Sequence, residues 1–120
     1  MAANSDNKYG NKHTEVDGIR FQSKAEARRY CELKLLQQAG EIRDLECQHP
    51  IPLDAYVFQG KYAGEVRHVA DYLADFRYID VTTGEPVYED VKGGPSTTMF
   101  RLKRKWVEIE HNIKIKEIRG

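Results

Sequence analysis

Two aspartates and a lysine are the residues of this chain best suited to chemistry. Asp75 stands in Tyr72-Leu73-Ala74-Asp75-Phe76, and Asp90 in Glu89-Asp90-Val91-Lys92-Gly93. Thr83-Gly84 lies between them as a turn dipeptide, so the two stretches are expected to form a hairpin with Asp75 beside Asp90. Asp90 and Lys92 are two apart and share a strand face, whereas Glu89 points the other way. Two carboxylates and an ammonium would then converge at one end of a sheet. Phosphodiester cleavage needs such a group. A hard divalent cation takes oxygen ligands, stabilises charge on the phosphate and lowers the pKa of a water. A lysine beside it can orient that water or neutralise the transition state. The plainer reading makes the aspartates exposed strand-end carboxylates and Lys92 their surface partner. Acidic residues are depleted in strands, however, and two inside apolar strand patterns call for a reason.

Positioning such a group requires a sheet and something packed on it. Thr14 to Phe21 reads as a short hairpin turning at Asp17-Gly18. Ser23-Lys24-Ala25-Glu26 has the form of a capping box, and apolar residues then recur at helical spacing to Ala39, before Gly40. Glu41 to Gln48 reads as a weak strand ended by His49-Pro50-Ile51-Pro52, and residues 54–66 are ambiguous. Arg67 to Ile79 is the clearest strand, with Asp71, Leu73, Asp75 and Arg77 on one face and Tyr72, Ala74, Phe76 and Tyr78 on the other. Pro86 to Lys92 is a further strand, closed by Gly93-Gly94-Pro95. A second helix is capped by Ser96 or Thr97, with Met99, Leu102, Trp106 and Ile109 on its apolar face. Ile113, Ile115 and Ile118 suggest a last strand. Burial of Leu33, Leu36, Leu102 and Trp106 is expected to hold the helices to the sheet. The order after the hairpin is α-β-β-β-α-β, an α/β fold with one mixed sheet and two flanking helices.

In that order and spacing the chain resembles the PD-(D/E)XK, or restriction-endonuclease-like, superfamily, and is most similar to its small phage-type endonucleases, relatives of Holliday-junction resolvases. The resemblance rests on the run Ser23-Lys24 with Glu26, then Ala74-Asp75-Phe76, then Glu89-Asp90-Val91-Lys92-Gly93, and covers roughly residues 23–118. It implies an acidic residue on the first helix, here Glu26, a lone Asp on the second core strand, here Asp75, and a (D/E)-x-K tripeptide, here Asp90-Val91-Lys92. Ala74 stands where the superfamily's name has Pro. The resemblance further implies a Mg²⁺ site, which Mn²⁺ can enter, formed by Asp75, Asp90 and the backbone carbonyl of Val91, with Glu26 as a further member. The same Glu26 could serve instead as a capping residue reaching back to the amide of Ser23. Asp71 is a weaker alternative ligand, since four steps along a strand put it about 13 Å from Asp75.

The partner this implies is DNA. Formal net charge is zero, yet between Arg101 and Arg119 seven Lys/Arg stand against three Glu. A local basic surface matters more for phosphate binding than the total does. Arg101, Lys103, Arg104 and Lys105 on the second helix are the expected phosphate contacts, with Thr97 and Thr98 adding hydroxyls or amides near the helix N-terminus. A polar N-terminal arm, residues 1–13 with Lys8, Lys12 and His13, precedes a single nuclease domain, residues 14–120, and could drape on the DNA. Cutting both strands with one site per chain would call for a homodimer. A non-catalytic nucleic-acid-binding accessory protein and a metal-dependent RNA nuclease are the alternatives. Cys31 and Cys47 read as reduced buried thiols, and no apolar run approaches a membrane span. The expected compartment is the cytoplasm, the host's if the protein is phage-encoded.

Overall fold

A computed structural model describes residues 13–92 and 96–119. The expected arm, apart from His13, and the Gly93-Gly94-Pro95 closure lie outside the described residues. The fold is α/β. The hairpin β1 (Thr14–Val16) and β2 (Ile19–Phe21) leads into α1 (Lys24–Gln38), then β3 (Ile42–Tyr56), β4 (Val66–Asp80), β5 (Pro86–Lys92), α2 (Thr98–His111) and β6 (Ile115–Arg119). β1 and β2 form their own small sheet; the main sheet has the order β3-β4-β5-β6. It is mixed: β3–β4 and β4–β5 are antiparallel, and β5–β6 is parallel across α2. The α-β-β-β-α-β order expected after the hairpin is present.

Local chemistry accounts for most of these elements. Asp17 and Gly18 both take positive φ, +54° and +77°, as the tight turn of a two-residue hairpin demands. Ser23 caps α1, its Oγ accepting from the N–H of Glu26 at 3.1 Å, and Thr97 caps α2 by accepting from Phe100 at 3.0 Å. Asn112, left-handed at φ +54°, ends α2.

The core is in two parts. Phe21, Ala27, Tyr30, Leu33, Ile42, Phe76 and Tyr78 pack together around α1. Ile51, Leu53, Tyr72, Ala74, Val107 and Ile115 pack together under α2. Period two gives Tyr72, Ala74, Phe76 and Tyr78 a single shared face; all four are buried, but they divide between the two clusters. The division falls at Asp75. Opposite it, between the pairs Cys47–Phe76 and His49–Ala74, stands Gln48 with φ +53°. This left-handed residue is a local departure from extended backbone inside β3, and the register with β4 is the same on either side of it.

Three further expectations are corrected. β3 does not stop at His49-Pro50-Ile51-Pro52 but runs on to Tyr56, because it is an edge strand, where proline costs no ladder bond on the open side. Leu36 and Leu102 are exposed, and so are Met99 and Ile109; α2 turns Val107 fully inward, with Phe100 and Trp106 beside it. Cys31 is an exposed thiol and Cys47 a half-buried one; neither is in a disulfide. Leu33 is buried as expected.

Candidate active site

Asp75 and Asp90 lie on the neighbouring strands β4 and β5. The regular ladder between these strands ends at Phe76–Glu89, one step short of the two aspartates. From there the side chains take over the pairing. The backbone N–H of Asp75 donates to Asp90 Oδ1 at 3.2 Å, and the N–H of Val91 donates to Asp75 Oδ2 at 2.8 Å. Tyr72 hydroxyl donates to Asp90 Oδ2, and the Gln48 side chain hydrogen-bonds Asp75. Each carboxylate thus has a side-chain donor, Gln48 on Asp75 and Tyr72 on Asp90. Neither partner was legible as such: Tyr72 reads as core, and Gln48 as the end of a strand.

Glu26, in the first turn of α1, is the third carboxylate. Its side chain does not complete the capping box on Ser23; Oε1 accepts from the N–H of Gln22 at 3.4 Å. Burial and then the charge of Asp75, with a lesser push from Asp90, raise its pKa to about 7. Burial raises Asp90 to about 6 despite the pull of its Asp75 N–H bond, Arg104 and Lys92, and burial raises Asp75 as well. Three acids drawn from a helix and two strands therefore feel one another, and ionising all of them together is resisted. The grouping is open: among the described residues no three His, Cys, Asp or Glu stand close enough to hold an ion by themselves. Its donor set still fits Mg²⁺, a hard ion that keeps several waters and is commonly bound through one or two carboxylates.

Lys92, on the same strand face as Asp90, hydrogen-bonds Ser96 Oγ, lies 3.8 Å from Glu117 and sits 4.9 Å over the Phe100 ring. Glu117, on β6 opposite Asp90, also pairs with Arg104, which reaches Glu108 at 3.7 Å too. Arg104 is therefore largely committed within the fold. Of the other basic residues expected to meet phosphate, Lys105 is exposed and Lys103 half-buried. Arg101 is exposed, and it donates to the Ser96 carbonyl at 2.7 Å and to Thr98 Oγ1 at 3.3 Å. Thr97 is occupied as the helix cap. Asp71 is exposed and lies 3.4 Å from His68, away from the site. His68 also meets Asp54, and His49 meets Glu46.

Glu89 points away from Asp90, as strand parity requires, and is fully buried. There it takes a two-pronged ion pair from Arg29, Nε to Oε1 at 2.8 Å and Nη2 to Oε2 at 2.7 Å, and a hydrogen bond from Tyr78 hydroxyl. The hydrogen bond to Glu89 drives the Arg29 pKa further up, and burial, then the bond to Glu89, raise that of Tyr78 against the pull of Arg29. A Glu in a strand four residues before a Gly-Gly-Pro does not announce this partner. The one available signal is that Arg29 follows Glu26 by a single helical turn.

Fold and site together define an α/β domain with an open acidic centre where two antiparallel strands part. The chain belongs to the family DUF1064, described as proteins of unknown function, whose model matches residues 6–119. No curated protein and no solved structure matches the chain. Among the described residues, no helix is long and apolar enough to cross a membrane.

Proposed function

We propose that this protein is a magnesium-dependent DNA endonuclease of the PD-(D/E)XK kind, with Mn²⁺ able to substitute, acting on branched, flap or nicked DNA. The observation that carries this reading is the cross-strand hydrogen bonding of two carboxylates, Asp90 accepting from the Asp75 amide and Asp75 from the Val91 amide, with Glu26 beside them and Lys92 two residues on from Asp90. A module that only binds nucleic acid gains nothing from burying Asp90 and half-burying Asp75 and Glu26 where phosphates must approach.

Asp75, Asp90 and the Val91 carbonyl would hold the ion, and when bound it supplies charge stabilisation to the phosphodiester and acidifies a water. The protein's own groups do the rest. Tyr72 and the Asp75 amide fix both oxygens of Asp90; Gln48 and the Val91 amide fix Asp75. Such fixed donors keep the carboxylates in place without reorganisation during the reaction. Lys92 brings a positive charge to the side where the phosphate gains negative charge. Exposed Arg101 and Lys105 on α2 supply phosphate contacts, which position a duplex but do not read its sequence. That favours selection by DNA structure over selection by sequence.

The test is incubation with junction, flap, nicked and intact duplex DNA and with RNA, in Mg²⁺, Mn²⁺ or EDTA. Cutting of DNA with either cation and none in EDTA is the expected result. DNA retention without cutting under every condition would leave an accessory binding protein, and cutting of RNA alone a ribonuclease.

A further inference from the structure

The Arg29–Glu89 ion pair joins α1 to β5 of the main sheet, and its placement is specific. Arg29 and Glu26 are three apart on α1, so they lie one turn from each other on the same helix face. Glu89 and Asp90 are consecutive on β5. One bidentate contact, 2.7 and 2.8 Å long, therefore ties the helix turn next to Glu26 to the strand residue next to Asp90. Arg29 is mostly buried and Glu89 wholly so, and Tyr78 hydroxyl adds a third hydrogen bond to Glu89. An apolar pair would hold a helix on a sheet as well or better, because desolvating two charges costs about as much as their attraction returns. What a bidentate fork adds is direction: two parallel bonds fix rotation and translation along the helix axis.

We infer that Arg29 and Glu89 are positioning residues, a latch that sets the register of α1 against β5 and so brings Glu26 to the Asp75–Asp90 pair. The inference rests on the metal-site reading and adds to it a reason for the buried charge. The latch touches neither phosphate nor ion; it acts through Glu26.

The experiment measures Mn²⁺ binding by the paramagnetic resonance of free ion, alongside thermal unfolding, on the full chain. Its arms are the parent, Asp90→Asn, the double variant Arg29→Met with Glu89→Met, and Arg29→Lys. The double variant should fold and melt near the parent's temperature, the packed apolar pair offsetting both the lost ions and the Tyr78 hydroxyl left without its acceptor, yet bind Mn²⁺ at least tenfold more weakly. Arg29→Lys keeps the charge but loses the fork; it should also weaken Mn²⁺, and it decides the matter if the double variant does not fold. Parent-like Mn²⁺ affinity in a folded latch variant overturns the latch while leaving the metal site standing. Parent protein that binds no Mn²⁺, or binds it no better than Asp90→Asn, overturns the metal reading and the latch with it.

Discussion

Asp75 and Asp90 face each other one step beyond the last ladder pair of β4 and β5, and each carboxylate accepts a backbone N–H from the other's strand, at 3.2 and 2.8 Å. Two acids have replaced two peptide groups as the link between strands. A regular ladder would have used the same amides with no charge, so this link stabilises the fold less than the pairing it interrupts. Asp75→Asn and Asp90→Asn should therefore leave a folded protein, with an unfolding midpoint at or above the parent's. Both should lose Mn²⁺ binding by a factor of ten or more in direct titration. Retained binding in either variant would mean that the pair is structural only.

Lys92→Ala should abolish cleavage while leaving DNA affinity within about threefold of the parent. Only interactions stronger in the transition state than in the ground state raise the rate, and loss of one preorganised electrostatic donor costs about 10²-fold or more. Single-turnover cleavage beside a binding isotherm separates the two effects. Excess Mn²⁺ should not restore this variant. A Lys92→Ala protein that cuts at the parent's rate would make Asp90-Val91-Lys92 a chance match.

Metal-free protein should grow more stable as pH falls from 8 towards 5. Glu26, raised from 4.5 to about 7, and Asp90, raised from 3.8 to about 6, bind protons more tightly folded than unfolded. A raised folded pKa contributes stability that is fully present below the unfolded value and is lost as pH rises through the folded one. The window for Glu26 is thus about pH 4.5 to 7, and for Asp90 about 3.8 to 6. Glu26→Gln should flatten the upper part of the curve and raise the melting temperature at pH 8. A parent curve that falls on going from pH 8 to 6 would contradict this.

Lys105→Ala should lower the slope of log K against log salt by about 0.9 if it contacts one phosphate of duplex DNA. Lys103→Ala should do less, being half-buried. Arg104 is a different case. Its ion pairs with Glu117 and Glu108 mean that Arg104→Ala should lower the melting temperature more than it changes the salt slope. Fluorescence anisotropy at four or five salt concentrations would sort the three residues.

Leu33→Ala should cost roughly 2–5 kcal/mol, as truncations of fully buried leucines do, whereas Leu102→Ala should stay within about 0.5 kcal/mol because its side chain is largely exposed. Urea unfolding midpoints provide the comparison. Equal losses at both positions would show that the outer face of α2 is covered in solution.

How far the sequence alone leads depends on the physics of each element. Asp75, Asp90 and Lys92 were legible because strand parity and one turn dipeptide place them. The first hairpin was legible because Asp17-Gly18 suits one turn type. α2 misleads because it carries two apolar stripes: Met99, Leu102 and Ile109 are exposed, and Phe100 and Val107 turn inward. Periodicity alone does not rank them. β3 was cut short because proline argues against a strand interior, and edge position is a property of the assembled sheet. The Arg29–Glu89 pair spans sixty residues, and no local rule reaches that far.

Gln48, left-handed and opposite Asp75, stands where the two apolar clusters meet. β3 and β4 run through both apolar clusters, so each strand belongs to one packed unit at one end and to a different one at the other. Asp75 stands at the seam. Proteins can open in cooperative units that follow such packing. The acidic centre thus lies where the two packed units meet. An ion held there would tie one unit to the other.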